Sequence, residues 1–210
     1  PDALSRVFFR DLLSDWGYPR ATMPSDATIT VVSGLPRSGT SMMMQMLGAG
    51  GLAVLTDGKR GADADNPRGY FEYEAVKSLA KDASWLASAR GKAVKIVSAL
   101  LIHLPDEFDY RVIFMRRPIA EVLASQSAML DRLGHAGPRG DDARLADLFS
   151  RHLDEVDTLL RRRPTIVRLD VDYRAVVDSP LRVAEDVSAF LGGALDPGRM
   201  AAAVSRELHR

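Results

Sequence analysis

Short β-branched runs alternate along the chain with longer stretches of helical periodicity. The spacing predicts an amphipathic helix over 3–15, ended by Gly17 and Pro19. Residues 28–32, Thr-Ile-Thr-Val-Val, form the kind of run expected of a buried strand. A loop containing Gly and Pro follows over 33–40, then a Met-rich helix over 41–47 that stops at Gly48. Residues 52–55 are a possible second strand, and 57–69, with three Asp, one Asn and three Gly, is a loop. Helical periodicity returns over 74–89, and strands are predicted at 93–97 and 110–115. Pro118 suits the first turn of a helix running to about Leu133. Residues 135–142 are polar and Gly-rich, long enough for a mobile lid. A helix over 145–163, a strand over 165–169 and a helix over 180–191, stopped by Gly192-Gly193, complete the pattern.

Alternation of this kind predicts an α/β fold of three layers, a central parallel sheet flanked by helices. The 210 residues suit one domain over 1–210 with its core at about 28–193. Ligands of such sheets bind beyond the carboxyl ends of the strands. The loops at Ser33, Asp57, Ser98 and Arg116 should therefore converge on one cleft.

Composition narrows the chemistry. Lys+Arg and Asp+Glu both total 28, so overall charge argues for neither nucleic acid nor an anionic membrane as partner. Any anion site must be local. With no cysteine, disulfides, thiolate catalysis and cysteine metal sites are excluded, which fits a cytoplasmic setting. The opening Pro1-Asp2-Ala3-Leu4-Ser5-Arg6 carries no signal-peptide pattern, and no apolar run is long enough to span a bilayer. Asp63, Asp65 and His135 do not form a metal-ligand spacing, and no metal is expected.

The segment Gly34-Leu35-Pro36-Arg37-Ser38-Gly39-Thr40-Ser41 lies between the first strand and a helix. In that setting backbone N–H groups point inward and the helix N-terminus favours an anion. The spacing resembles a Walker A loop, which would make the fold one of P-loop type, with Thr40 at the Lys position. Without that Lys a nucleoside triphosphate loses its main cationic partner. A short anion such as a 5′-phosphosulfate still suits the loop, with Arg37 supplying charge. Pro36, Arg37, Ser38, Gly39, Thr40 and Ser41 resemble the 5′-phosphosulfate loop of sulfotransferases dependent on 3′-phosphoadenosine-5′-phosphosulfate (PAPS).

A second anion site is predicted where the strand at 112–115 ends in Arg116-Arg117-Pro118, with Ser125 about two turns into the next helix. A cation at a strand end and a hydroxyl on the following helix can clamp one phosphate from two sides. This is similar to the family's 3′-phosphate motif, and Arg116 with Ser125 are the residues assigned to it. Counted from Arg117 the Ser spacing fits the family's better, but the Pro then comes one residue early. One anion site on each side of a nucleotide discriminates PAPS from ATP. The resemblance continues in Val94-Lys95-Ile96 ahead of Ile102-His103-Leu104-Pro105, and in Val171-Asp172-Tyr173 to Pro180 followed by Ala189-Phe190-Leu191-Gly192. It implies sulfuryl transfer from PAPS, leaving adenosine 3′,5′-bisphosphate, to a hydroxyl or amine of a small-molecule, carbohydrate or lipid acceptor. A C-terminal Arg-Lys-Gly loop of cytosolic members is absent, which points towards bacterial or carbohydrate-type branches.

In-line displacement at sulfur needs cations for the leaving phosphate and a base for the acceptor. Arg37 and Lys95 are the candidate cations. Lys95 sits mid-strand, where Lys is depleted. Glu72 and Glu74 are the candidate bases; on an extended segment they share a face, on a helix they diverge. Asp57 is a third. His103 lies eight residues past Lys95, not two as the base of cytosolic members does, and reads as structural. A P-loop small-molecule kinase and a non-catalytic nucleotide-binding module are the alternatives; the first would need Mg²⁺ and ATP, the second neither Lys95 nor a base.

Overall fold

The computed structural model describes residues 27–58, 69–132, 134 and 141–204. The helix expected over 3–15, most of the 57–69 loop and all but the last two residues of the lid expected over 135–142 lie outside these described residues.

Strand β1 (Ile29–Gly34) is buried throughout, as its β-branched run requires. It is flanked by β2 (Ala93–Lys95) and β3 (Tyr110–Arg116), and β3 by β4 (Ile166–Asp172). Among the described residues the sheet order is β2-β1-β3-β4, and every pairing is parallel. Register brings Val32 beside Lys95, Gly34 beside Met115 and Arg116 beside Asp172, so the carboxyl ends of the strands align. This is the α/β three-layer arrangement expected.

Helices cover both faces. On one, α1 (Thr40–Ala49) buries its Met cluster against Val32, Ile113, Met115 and Val171. The short α4 (Tyr173–Asp178), α5 (Pro180–Phe190) and α6 (Pro197–Ala202) share that core. On the other, α3 (Asp142–Arg162) places Val156 and Leu160 against Val31, Val112 and Phe114. Asp141 caps α3, its side chain accepting from Ala143 N and Arg144 N. Helix α2 (Ile119–Arg132) follows β3 and contacts α3.

Three expectations change. The single helix over 74–89 is two 3₁₀ segments, Glu74–Ser78 and Ser84–Ala89, because the stretch between them turns away from the helical path. The possible strand at 52–55 reduces to a parallel bridge between Val54 and Ala93. The strand at 93–97 ends at Lys95, beyond which the chain coils into a 3₁₀ segment, Ser98–His103. No described helix is long and apolar enough to cross a membrane.

Candidate active site

The loop between β1 and α1, the candidate phosphate loop, is built by backbone conformations that few residues tolerate. Gly34, Arg37 and Gly39 have φ of 148°, 68° and 99°. For Arg37 that left-handed conformation costs on the order of 1 kcal/mol, a strain typical of ligand clamps. A Cβ on Gly39 would lie 2.7 Å from Tyr173 Cδ2, and one on Gly34 would lie 2.7 Å from Met115 O. The loop therefore closes tightly on β3 and α4, and no side chain caps α1, whose N-terminus opens into the loop. Ser38 Oγ and Ser33 Oγ are buried there without a hydrogen-bond partner. A buried hydroxyl left unpaired costs about 1–3 kcal/mol, which an anion's oxygens would offset at Ser38.

On one flank, Arg37 Nε donates to Ser125 Oγ at 3.1 Å, tying the loop to α2. Arg117 Nη1 donates to Arg37 O at 3.0 Å. Its guanidinium stacks 4.1 Å over the Tyr173 ring, and its Nε donates to Glu121 Oε2 at 3.1 Å. Burial opposes ionisation of Glu121, but Arg117 and Arg174 outweigh it and hold the carboxyl below its ordinary value. Arg37, Arg117 and Ser125 are thus one cluster.

Arg116 is elsewhere. Successive strand residues point to opposite faces, so Arg116 follows Val112 and Phe114 towards α3 while Arg117 follows Ile113 and Met115 towards α1. Arg116 Nε donates to Asp170 Oδ1 at 2.7 Å, and its other arm pairs with Asp157 of α3. Arg168 Nη1 joins Asp157 at 2.8 Å. Burial disfavours the Arg116 charge, yet the two carboxylates more than offset this and raise its pKa; Asp157, also opposed by burial, is held below its ordinary value by Arg116 and Arg168. The structure therefore does not bring Arg116 together with Ser125 and the loop; it brings Arg117. The strand runs one residue further than the apolar pattern suggests, so it is Arg117 that directly follows it.

On the other flank, Lys95 leaves β2 towards α1. Its side chain, 11% exposed, donates to Tyr70 O and to Ser41 Oγ at 3.4 Å, and Nζ lies 3.8 Å from Glu72 Oε1. Ser41 Oγ also donates to Tyr70 O at 3.3 Å. Thr56 Oγ1 and Asp57 N both donate to Glu72 O, at 2.9 and 3.3 Å, holding the Glu72 backbone in place. Tyr73 is extended and Glu74 begins a 3₁₀ turn, and the two carboxylates meet different lysines, Glu72 beside Lys95 and Glu74 beside Lys77. Glu74 is 52% exposed and pairs with Lys77 at 3.0 Å. Asp57 Oδ2 accepts from Glu74 N at 2.8 Å, which makes it a cap for that turn. His103 is exposed at the end of its 3₁₀ segment. Pro36 is exposed at the tip of the loop, and Thr40 opens α1.

Tyr173 and Glu121 were not singled out as site residues from sequence. The i,i+4 spacing of Arg117 and Glu121 was the available signal for the second. Tyr173 stands in the Val171-Asp172-Tyr173 segment of the resemblance, but its place against the loop follows only once β4 is known to lie beside β3.

No protein-family model matches the chain, and no curated protein matches it. Among solved structures, the sulfotransferase domain from the Synechococcus PCC 7002 olefin synthase superposes with a TM-score of 0.53 at 18% identity, over 89% of this chain and 80% of that one. The sulfotransferase domain from the curacin biosynthetic pathway gives 0.44 at 15% identity, over 85% and 83%, too loose a match to add to the argument. The parallel sheet flanked by helices, the tight glycine-containing turn after its first strand and the superposition agree: this chain has the fold of a sulfotransferase domain.

Proposed function

We propose that the chain is a PAPS-dependent sulfotransferase acting on a hydroxyl or amine. The observation that carries this reading is the pair of cationic flanks on one phosphate loop. Arg37, Arg117 and Ser125 stand together on one side, and Lys95 with Glu72 on the other. The loop from Pro36 to Ser41 would hold the 5′-phosphosulfate through its backbone and the α1 N-terminus. Arg117 and Ser125 would take the 3′-phosphate, a role that falls to Arg117 because it bonds the loop at Arg37 O while Arg116 faces α3 with Asp157 and Asp170. PAPS supplies an activated sulfuryl group whose leaving group is a phosphate. Lys95 and Arg37 offset the negative charge that grows during transfer, in a setting where Lys95 is largely shielded from water. Glu72, beside Lys95, accepts the proton of the acceptor hydroxyl. Thr40 at the Walker Lys position argues against a kinase, and the placing of Lys95 beside a carboxylate against a purely binding module.

Thermal denaturation with adenosine 3′,5′-bisphosphate or with ATP and Mg²⁺ tests this. At about 100 times its Kd a ligand adds about 2.7 kcal/mol, or roughly 5–10 °C for a chain of this size. Stabilisation is expected with the bisphosphate and none with ATP and Mg²⁺; the reverse result refutes the proposal.

A further inference from the structure

Glu121 has no part in the proposed chemistry, yet both of its carboxylate oxygens are engaged at the Arg117 end of the site. It lies in the first turn of α2, four residues after Arg117, with its side chain 25% exposed. Oε2 accepts from Arg117 Nε at 3.1 Å, and Oε1 accepts from Arg174 Nη2. Arg174 reaches it from α4, directly after Tyr173, whose ring lies 4.1 Å from the Arg117 guanidinium. Strand register explains the meeting. Arg116 is paired with Asp172, so the residues that follow them, Arg117 and Tyr173, leave the sheet side by side.

A guanidinium is planar and rigid, so a few contacts fix all of its donors. Glu121 holds Nε, Arg37 O holds Nη1 at 3.0 Å and Tyr173 covers one face. Among the described residues nothing bonds Nη2, which is thereby the end left to meet an anion. The Arg117 side chain is 12% exposed, so this is not the loose surface pair that i,i+4 spacing usually gives.

The sign of the charge separates two roles for Glu121. A carboxylate near a phosphate repels it, so as a bare charge Glu121 would weaken the site. As a brace it would strengthen the site, because an arginine already immobilised loses less freedom when the ligand arrives. Arg174 favours the brace, since its cation sits on the same carboxylate and offsets the repulsion. We propose that Glu121 is a positioning residue for Arg117 and sets the preference of this site for a nucleotide with a 3′-phosphate over one without. This rests on the PAPS reading above.

Calorimetry with adenosine 3′,5′-bisphosphate and adenosine 5′-phosphate tests it. Having to immobilise one long side chain on binding lowers affinity about three- to tenfold. Glu121→Ala should weaken the bisphosphate by about that factor and leave adenosine 5′-phosphate within about twofold. Glu121→Gln keeps an oxygen for Arg117 Nε and should return the bisphosphate to within about twofold of wild type. Glu121→Asp keeps the charge but falls one methylene short, so it should weaken the bisphosphate as alanine does, and it replaces Glu121→Ala if that variant does not fold. Added to Arg117→Ala, Glu121→Ala should change the bisphosphate Kd by less than about twofold, because no arginine remains to be held. Unchanged or tighter bisphosphate binding in Glu121→Ala overturns the proposal, tighter binding being the mark of a repelling charge. An equal loss for both nucleotides, no recovery in Glu121→Gln, or an effect that persists without Arg117 also overturns it, while the PAPS reading stands. If the wild-type chain binds the bisphosphate no better than adenosine 5′-phosphate, both fall.

Discussion

Replacing each member of the Arg116-Arg117 pair separately gives the sharpest test of the site. Arg117 has its guanidinium held by Glu121, Tyr173 and Arg37 O, beside Ser125 and the loop. A charge-assisted contact to a phosphate is worth about 1.5–3 kcal/mol, or roughly ten- to a hundredfold in Kd. Arg117→Ala should therefore weaken adenosine 3′,5′-bisphosphate by about that factor. Adenosine 5′-phosphate should lose only the few-fold that follows from releasing Arg37 O, so the two losses should differ by at least about fivefold. Arg116→Ala should leave both affinities within about threefold and lower stability instead, because Asp157 and Asp170 lose one of the two arginines they share and keep only Arg168. Calorimetric titration of both nucleotides against both variants, with a melting curve for each, reads all six quantities. Selective loss of bisphosphate binding in Arg116→Ala, with Arg117→Ala losing both nucleotides equally, would refute the assignment.

Three further outcomes are expected. Lys95→Ala and Glu72→Gln should each lower kcat by about 10²–10⁴ with bisphosphate Kd nearly unchanged, while Glu74→Gln stays within about threefold; steady-state kinetics would expose the error if Glu74→Gln were the damaging change. Gly39→Ala places a Cβ against Tyr173 at a left-handed position, so it should cost roughly 1–3 kcal/mol in denaturant unfolding and weaken the bisphosphate at least about tenfold; wild-type behaviour in both assays would contradict the loop geometry. Asp157 has a depressed pKa, so its contribution to stability is complete above the ordinary aspartate value of 3.8 and is lost as pH falls through its lower folded value. Asp157→Asn should be less stable at neutral pH and lose less on acidification below 3.8; parallel stability–pH curves for the two proteins would count against this.

Much of the architecture was legible because its signals are repetitive. β-Branched runs mark β1, β3 and β4, and the Gly-rich turn before a Met-rich stretch marks the phosphate loop and α1. Segments of six residues or fewer, such as α4, α6 and the 3₁₀ turns, span too little sequence to display a period. The site depended on finer detail. Arg116 and Arg117 differ by one strand residue, and strand ends are where an apolar pattern is least informative. Glu72 and Glu74 differ in which lysine they meet, and Thr56 and Asp57, distant in sequence, hold the backbone of both.

The opposed arginines impose a parity rule on β3. Removing or adding one residue within the strand would exchange their faces, aiming the ion-paired arginine's position at the phosphate loop and leaving Asp157 and Asp170 to confront whatever residue took its place. Removing or adding two would preserve the arrangement and shift only its height. Length variation among chains built on this strand should therefore run in even steps, and an odd step should be accompanied by loss of the acidic pair.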